Sequence, residues 1–169
     1  MALEIERKFL LHEYPQALIK SGELAVRSRR RIEQTYLAIE DTQELRVRRI
    51  TDLVTGDVEY TQTFKRGHGI SREEIEYSIS EGLYEQLTQA FLAVPLTKER
   101  TTADLGSNVI EIDEYDQLEL LVVEVEFDSI EEALQFEAPD WFGEDISQSK
   151  RYSNKTVWRE LQQQAALNN

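Results

Sequence analysis

The chain has 169 residues, 33 acidic and 19 basic, with a formal charge of −14 and an isoelectric point near 4.6. Nucleic-acid backbones and anionic membrane surfaces require a net positive footprint, so the composition argues against both as partners. With 40% hydrophobic residues and no cysteine, the chain reads as one globular domain over 1–169, without disulfides, thiol nucleophiles or sulfur-ligated zinc.

The start, Met1 to Lys8, carries charges where a signal peptide needs an apolar run, and a cytoplasmic location is expected. Period-2 alternation predicts a first strand over 2–10, with Glu4, Glu6 and Lys8 on one face and Leu3, Ile5, Arg7 and Phe9 on the other. A short helix is expected near Pro15 to Lys20. Further strands are predicted at 31–40, 44–51, 57–66 and 70–79, joined by turns at Glu40-Asp41-Thr42, Thr55-Gly56-Asp57 and Gly67-His68-Gly69. The basic run Arg27 to Arg31 falls before the strand at 31–40, the second of the chain.

A helix is predicted after Ser80, with Leu83, Leu87, Ala90, Phe91 and Val94 as a core-facing stripe ending at Pro95. Strands at 97–104, 107–115 and 120–127 follow. Ser129 to Glu132 has the spacing of a capping box, and a last helix from about Ser153 presents Val157, Trp158 and Leu161 before a Gln-rich tail, about 160–169, expected to fray. Trp141, Phe142 and Trp158 are expected to pack helices onto the sheet, and His12 and His68 to lie on surface loops.

The strands segregate charge by sign. Glu74 and Glu76, Glu111 and Asp113, and Glu124 and Glu126 form acidic pairs on one face of their strands, while Arg46 with Arg48, Lys65, and Lys98 with Arg100 form basic ones. Like charges two residues apart repel unless something binds between them. Eight antiparallel strands can close into a barrel. With the charged face inward, the acids suit hard divalent cations and the bases suit phosphate oxygens, so a metal-bound oligophosphate would satisfy both. With that face outward and helices on the apolar side, the same alternation gives no site. Periodicity does not choose between them.

The Glu4-Ile5-Glu6-Arg7-Lys8 segment, an E-x-E-x-K pattern, resembles the signature of the CYTH superfamily, the triphosphate tunnel metalloenzymes. Further matches follow in order: Gln34-Thr35-Tyr36-Leu37, Leu45-Arg46-Val47-Arg48, Phe64-Lys65, Glu74 with Glu76, Lys98 with Arg100, Glu111 with Asp113, Val123 to Phe127, Trp141-Phe142-Gly143 and Lys150 to Asn154. They run from residue 4 to 155 and are most similar to the short bacterial inorganic triphosphatases. The resemblance implies an α+β fold built on an eight-stranded antiparallel β-barrel, a tunnel with charges inside and a few helices outside. It also implies metal-dependent hydrolysis of inorganic triphosphate to pyrophosphate and phosphate.

By that resemblance Glu4, Glu6, Glu111, Asp113, Glu124 and Glu126 face Mg²⁺ or Mn²⁺, two ions in all, with Glu74 and Glu76 as supporting acids. Arg46, Arg48, Lys65, Lys98 and Arg100 hold the triphosphate, Arg151 closes the site, and Lys150 and Lys155 stay solvated. Lys8 and Tyr36 act on the attacking water. The alternatives on the same fold are an adenylate cyclase or a nucleoside or thiamine triphosphatase, and a non-catalytic polyphosphate-binding module is a further one. A small-molecule triphosphate is the expected partner, and a homodimer is left open.

Overall fold

The structure, a computed structural model, describes residues 2–90 and 92–168. Its elements are β1 (Ala2–Leu10), α1 (Gln16–Ser21), β2 (Leu24–Ile39), β3 (Gln43–Asp52), β4 (Val58–Arg66), β5 (Ser71–Ser78), α2 (Glu81–Gln89), β6 (Leu96–Leu105), β7 (Asn108–Tyr115), β8 (Leu120–Glu126), α3 (Ile130–Gln135) and α4 (Asn154–Leu167). The eight strands close into an antiparallel barrel in the order β1-β5-β4-β3-β2-β6-β7-β8. Closure gives every strand two partners and leaves no edge. The hairpins fall where turn residues stand, and Gly67 and Gly69, at φ 115° and 72°, take backbone conformations that disfavour a side chain.

Closure also settles which face points in. Lys98 and Asp113 are fully buried, and Arg46, Arg48, Lys65 and Glu124 nearly so, whereas Arg49, on the other face of β3, is exposed. The outer apolar face of β1 and β6–β8 carries Phe9, Ala103, Ile110, Ile112, Val123 and Val125, which pack with Phe142 and, around them, Trp141, Phe136 and Leu18. This is the conventional core, lying between the barrel wall and its helices.

A second apolar cluster lies at one end of the barrel. Tyr36, Leu96, Tyr115 and Val122 share the strand faces of Gln34, Lys98, Asp113 and Glu124, so they point inward. They meet Val157, Trp158 and Leu161 of α4. The helix therefore stops this end with apolar side chains. Ser153 caps it by accepting from the Thr156 N–H at 3.3 Å. The segment before it is pinned along β1: Gly143 N donates to Leu10 O at 2.7 Å and Ile146 N to Lys8 O at 2.8 Å. A Cβ on Gly143 would stand 2.7 Å from the Leu10 carbonyl oxygen, so only glycine fits there.

Several sequence expectations differ from the structure. β2 starts at Leu24 instead of 31, because the basic run is itself strand, pairing with β3 and β6. Its arginines, exposed except for the half-buried Arg31, are matched by acids: Arg27 with Asp104, Arg29 with Glu99, Arg30 with Glu59 and Arg31 with Asp116. α2 ends at Gln89 and buries none of its residues; Leu83 is 43% exposed, so the expected core stripe is a partly covered face against β3 and β4. Phe91, assigned to that stripe, lies outside the described residues. The C-terminal tail continues as helix to Leu167, held where Leu161 is buried and Gln162 exchanges hydrogen bonds with Val94 N and O.

Candidate functional site

The barrel encloses a cavity of about 320 Å³. Its lining includes Glu4, Glu6 and Lys8 from β1, Arg46 and Arg48 from β3, Lys65 from β4, Glu74 and Glu76 from β5, Arg100 from β6, Glu111 from β7, and Glu124 and Glu126 from β8. Strand pleat alone puts each of these on the inner face, two residues from the next.

The acids of β1, β7 and β8 crowd one wall. Glu6 is paired with Glu126, and Glu124 with both Lys8 and Glu111, in the strand register. Burial first, and the neighbouring Glu124 second, push the Glu6 carboxyl well above the usual carboxylate range. A hydrogen bond with Glu111, reinforced by burial, pushes Glu126 up to about 8. Glu124 goes the other way. Burial opposes its ionisation, but Lys8 and Arg100, each with a nitrogen 3.8 Å away, outweigh it and bring the carboxyl to about 2. Lys8 Nζ also donates to the Tyr152 carbonyl at 3.1 Å.

The opposite wall is cationic. Arg48 is buried, has no carboxylate partner among the described residues, and donates from Nε to Gln34 Oε1 at 3.2 Å. Burial and the neighbouring Arg46 and Arg100 push its guanidinium down to about 10. Arg46, also buried, leaves its Nε without a hydrogen-bond partner. Buried cations are normally paired, because removing a charge from water costs several kcal/mol. Burial opposes the Arg46 charge, but Tyr36, Glu44 and Glu74 lie near enough to outweigh it and raise the guanidinium, whereas Arg48 has no compensation that outweighs burial among the described residues and marks a place for an anion. Lys65 is better matched, 2.7 Å from Glu4 and 3.1 Å from Glu74.

Two residues expected to touch ligands lie behind the lining. Asp113 is fully buried and accepts from Lys98 Nζ at 2.7 Å and from Arg100 Nε and Nη2 at 2.7 and 2.8 Å. Burial opposes its charge, yet Arg100 and Lys98 hold it well below the usual carboxylate range. Burial pulls Lys98 down to about 7 against the attraction of Asp113, and its ammonium sits 5.4 Å from the Tyr115 ring centre. Asp113 thus has both oxygens engaged, and it orients Arg100, whose remaining fork reaches Glu111.

Tyr36 is buried against Trp158, ring centres 5.8 Å apart, and is not among the residues lining the cavity; its hydroxyl lies near Arg46 and makes no hydrogen bond of good geometry among the described residues. Burial raises its ionisation above the usual phenol value, partly offset by Arg46. Arg151 is exposed, its guanidinium 5.3 Å from the Tyr152 ring centre, and does not line the cavity. Lys155, expected to be solvated, does line it and donates to the Asp41 carbonyl at 3.2 Å. The exchange follows from the start of α4: position 155 is in its first turn, over the cavity, and 151 precedes the cap.

Sequence reasoning also missed Glu44 and Arg72, which line the cavity from β3 and β5. The signal was present. Glu44 lies two residues before Arg46, and Arg72 two before Glu74, so each shares the inner face.

The wall of acids fits divalent cations, which take hard oxygen ligands. Glu6 and Glu126 are held toward the protonated form by their surroundings, as expected of ligands whose cation would replace those protons. Among the described residues no three acids are grouped closely enough to hold one ion, so ligation requires these lumen-facing side chains to draw together.

The comparisons agree with this geometry. The model of the CYTH domain matches residues 2–159. The inorganic triphosphatase of Nitrosomonas europaea is 36% identical over 158 residues, covering 91% of this chain and 95% of the relative. The inorganic triphosphatase of Acetivibrio thermocellus is 28% identical over 160 residues, covering 93% and 94%. The crystal structure of an inorganic triphosphatase superposes with a TM-score of 0.61 at 33% identity, covering 94% of this chain and 95% of that one. The tunnel with its two charged walls, and the match along nearly the whole chain, place the protein in the CYTH domain family.

Proposed function

We propose that the protein hydrolyses inorganic triphosphate to pyrophosphate and phosphate, with Mg²⁺ or Mn²⁺, two ions, as cofactor. The observation that carries this is the buried Arg48, which makes no ion pair with a carboxylate among the described residues, beside Arg46 with an unpartnered Nε, facing a wall of acids that favour protons. A metal-bound polyanion is the one ligand class that relieves both walls. The 36% identical relative named inorganic triphosphatase supports the same substrate.

Glu4, Glu6, Glu111, Glu124 and Glu126 are the side chains to hold the ions, with Glu74 and Glu76 in support. Divalent cations there would neutralise substrate charge, polarise the phosphoryl group and favour ionisation of a nearby water or phenol. Arg46, Arg48, Lys65 and Arg100 grip the phosphates, and Lys155 takes the mouth position first given to Arg151. Asp113 and Lys98 work from behind by fixing Arg100. Lys8 lines the cavity beside Glu124, and Tyr36 sits in the plug cluster next to Arg46, its hydroxyl without a well-formed hydrogen bond among the described residues. Water attacks a terminal phosphorus, the bridging P–O bond breaks, and pyrophosphate leaves. The water's proton goes to the Tyr36 oxygen, with Arg46 and Arg48 favouring the phenolate and Lys8 acting from the acidic wall.

A panel of inorganic triphosphate, ATP and thiamine triphosphate tests this, with products quantified in Mg²⁺ and in Mn²⁺. Fastest turnover of inorganic triphosphate, with one phosphate per pyrophosphate, is expected. Faster conversion of ATP to cyclic AMP would replace the hydrolase with a cyclase, and tight binding without turnover of any compound would leave a binding module.

A further inference from the structure

Glu44 and Arg72 have no part in the roles above, yet both face the lumen. Arg72 Nη2 donates to Glu44 Oε1 at 3.0 Å, and this is its one side-chain hydrogen bond to protein among the described residues. A guanidinium carries five N–H donors in a fixed fork. Arg100 has its fork filled by Asp113 and Glu111; Arg72 keeps most of its donors open, and its side chain is 25% exposed. The strand register sets Arg72 directly opposite Glu4 and two residues from Glu74. Glu44 is 7% exposed, pairs with Lys65 across the strands, and is two residues from Arg46. Burial raises its carboxyl, but Arg72, Arg46 and Lys65 outweigh that and leave it below the usual range. Glu4 and Glu74 already occupy Lys65, and Glu44 takes only one of the Arg72 donors, so the open part of the Arg72 fork is the cationic feature of this corner.

We propose that Arg72 is a further triphosphate-binding residue, and that Glu44 is a positioning residue holding its guanidinium toward the lumen. This rests on the triphosphatase reading. Arg72 projects from β5, which carries Glu74 and Glu76 and pairs with β1, so it brings a cation right beside the metal-holding wall, next to Glu4. A phosphate there is gripped from β3, β4 and β5 together. The alternative is that Arg72 only neutralises Glu44 and holds the fold.

The test uses steady-state hydrolysis of inorganic triphosphate and calorimetric titration of the same compound into full-length protein. Arg72→Ala is expected to raise KM and the dissociation constant roughly 10- to 100-fold, the loss of a charge-assisted contact, with a smaller change in kcat. Arg72→Lys should restore part of the affinity. Glu44→Gln should raise KM less than Arg72→Ala, and the double variant should match Arg72→Ala alone, because the acid acts through the arginine. Unchanged KM and affinity in Arg72→Ala, with a lowered melting temperature, would overturn the inference and leave the function intact. A wild-type protein that binds triphosphate without turnover would sink the enzymatic reading, and the titration would still decide the role of Arg72. If Arg72→Ala does not fold, Arg72→Gln keeps the neutral hydrogen bond to Glu44 and must show the same affinity loss for the inference to stand.

Discussion

The two walls of the tunnel handle confined charge in opposite ways. On the acidic wall like charges meet face to face, and Glu6 and Glu126 are driven toward protonation, Glu126 to about 8. On the basic wall both guanidinia stay cationic: Arg48 bears burial and the repulsion of Arg46 and Arg100 and is lowered only to about 10, while Tyr36 and Glu44 outweigh burial and hold Arg46 up. The difference is chemical. A carboxylate can shed its charge within the physiological range, whereas a guanidinium cannot. The acidic wall can therefore wait for a cation with protons in place, and the basic wall is left electrostatically frustrated until an anion arrives.

The largest expected effect comes from spoiling the acidic wall. Glu4→Gln, Glu6→Gln or Glu126→Gln removes an anionic ligand at constant size and should abolish triphosphate hydrolysis, with the circular dichroism spectrum unchanged. Full activity in these variants would mean the acids do not hold metal. Next in size is Tyr36→Phe. If the phenol takes the water's proton, the rate should fall about 10²–10⁴-fold with little change in KM, and the wild-type rate should climb toward alkaline pH because burial raises the phenol. A variant with most of the rate and the same pH profile would make Tyr36 a packing residue of the α4 plug.

Two arginines sharpen the contrast further. Arg100→Ala strips Asp113 of its main partner and should destabilise the fold by about 3–5 kcal/mol in denaturant titrations, as well as weakening substrate binding. Arg48→Ala removes a repelled charge and should weaken triphosphate binding about 10- to 100-fold while leaving stability nearly unchanged. Equal stability losses would show that Arg48 is compensated in the free protein after all.

The smallest effect is one of linkage. Glu6 and Glu126 have raised values when folded, so the metal-free protein binds more protons than the unfolded chain between about 4.5 and 8 and loses stability as pH rises through that window. Glu124, lowered to about 2, acts only below the window, between about 2 and 4.5. The melting temperature should therefore fall from pH 5 to pH 8 in chelator, and Mg²⁺ should restore more of it at pH 8. A flat profile would mean that the two acids are not crowded.

Much of this was legible in the sequence because a strand's pleat is a rigid rule: alternation put Glu4, Glu6, Lys8, Arg46, Arg48 and Glu124 on common faces without reference to any contact. Alternation could not say whether that face pointed inward; the family resemblance said so, and barrel closure shows it. Depth along the tunnel was beyond it as well. Asp113 and Lys98 obey the same period as Glu111 and Arg100 but sit one step nearer the plugged end, where they satisfy each other. The basic run misled for a related reason: its arginines carry partners on β4, β6 and the β7–β8 turn, and such cross-strand pairing is invisible locally. At Arg151 and Lys155 the outcome turned on where α4 starts, since one helical turn decides which side chain overhangs the cavity.

The division of labour between the walls is tested most directly by titrating Mn²⁺ into chelator-stripped protein by calorimetry, without substrate, for wild type, Glu126→Gln and Arg48→Ala. The account predicts that wild type and Arg48→Ala bind Mn²⁺ alike and that Glu126→Gln loses most of the affinity. Equal binding by all three proteins, or loss in Arg48→Ala alone, would contradict it.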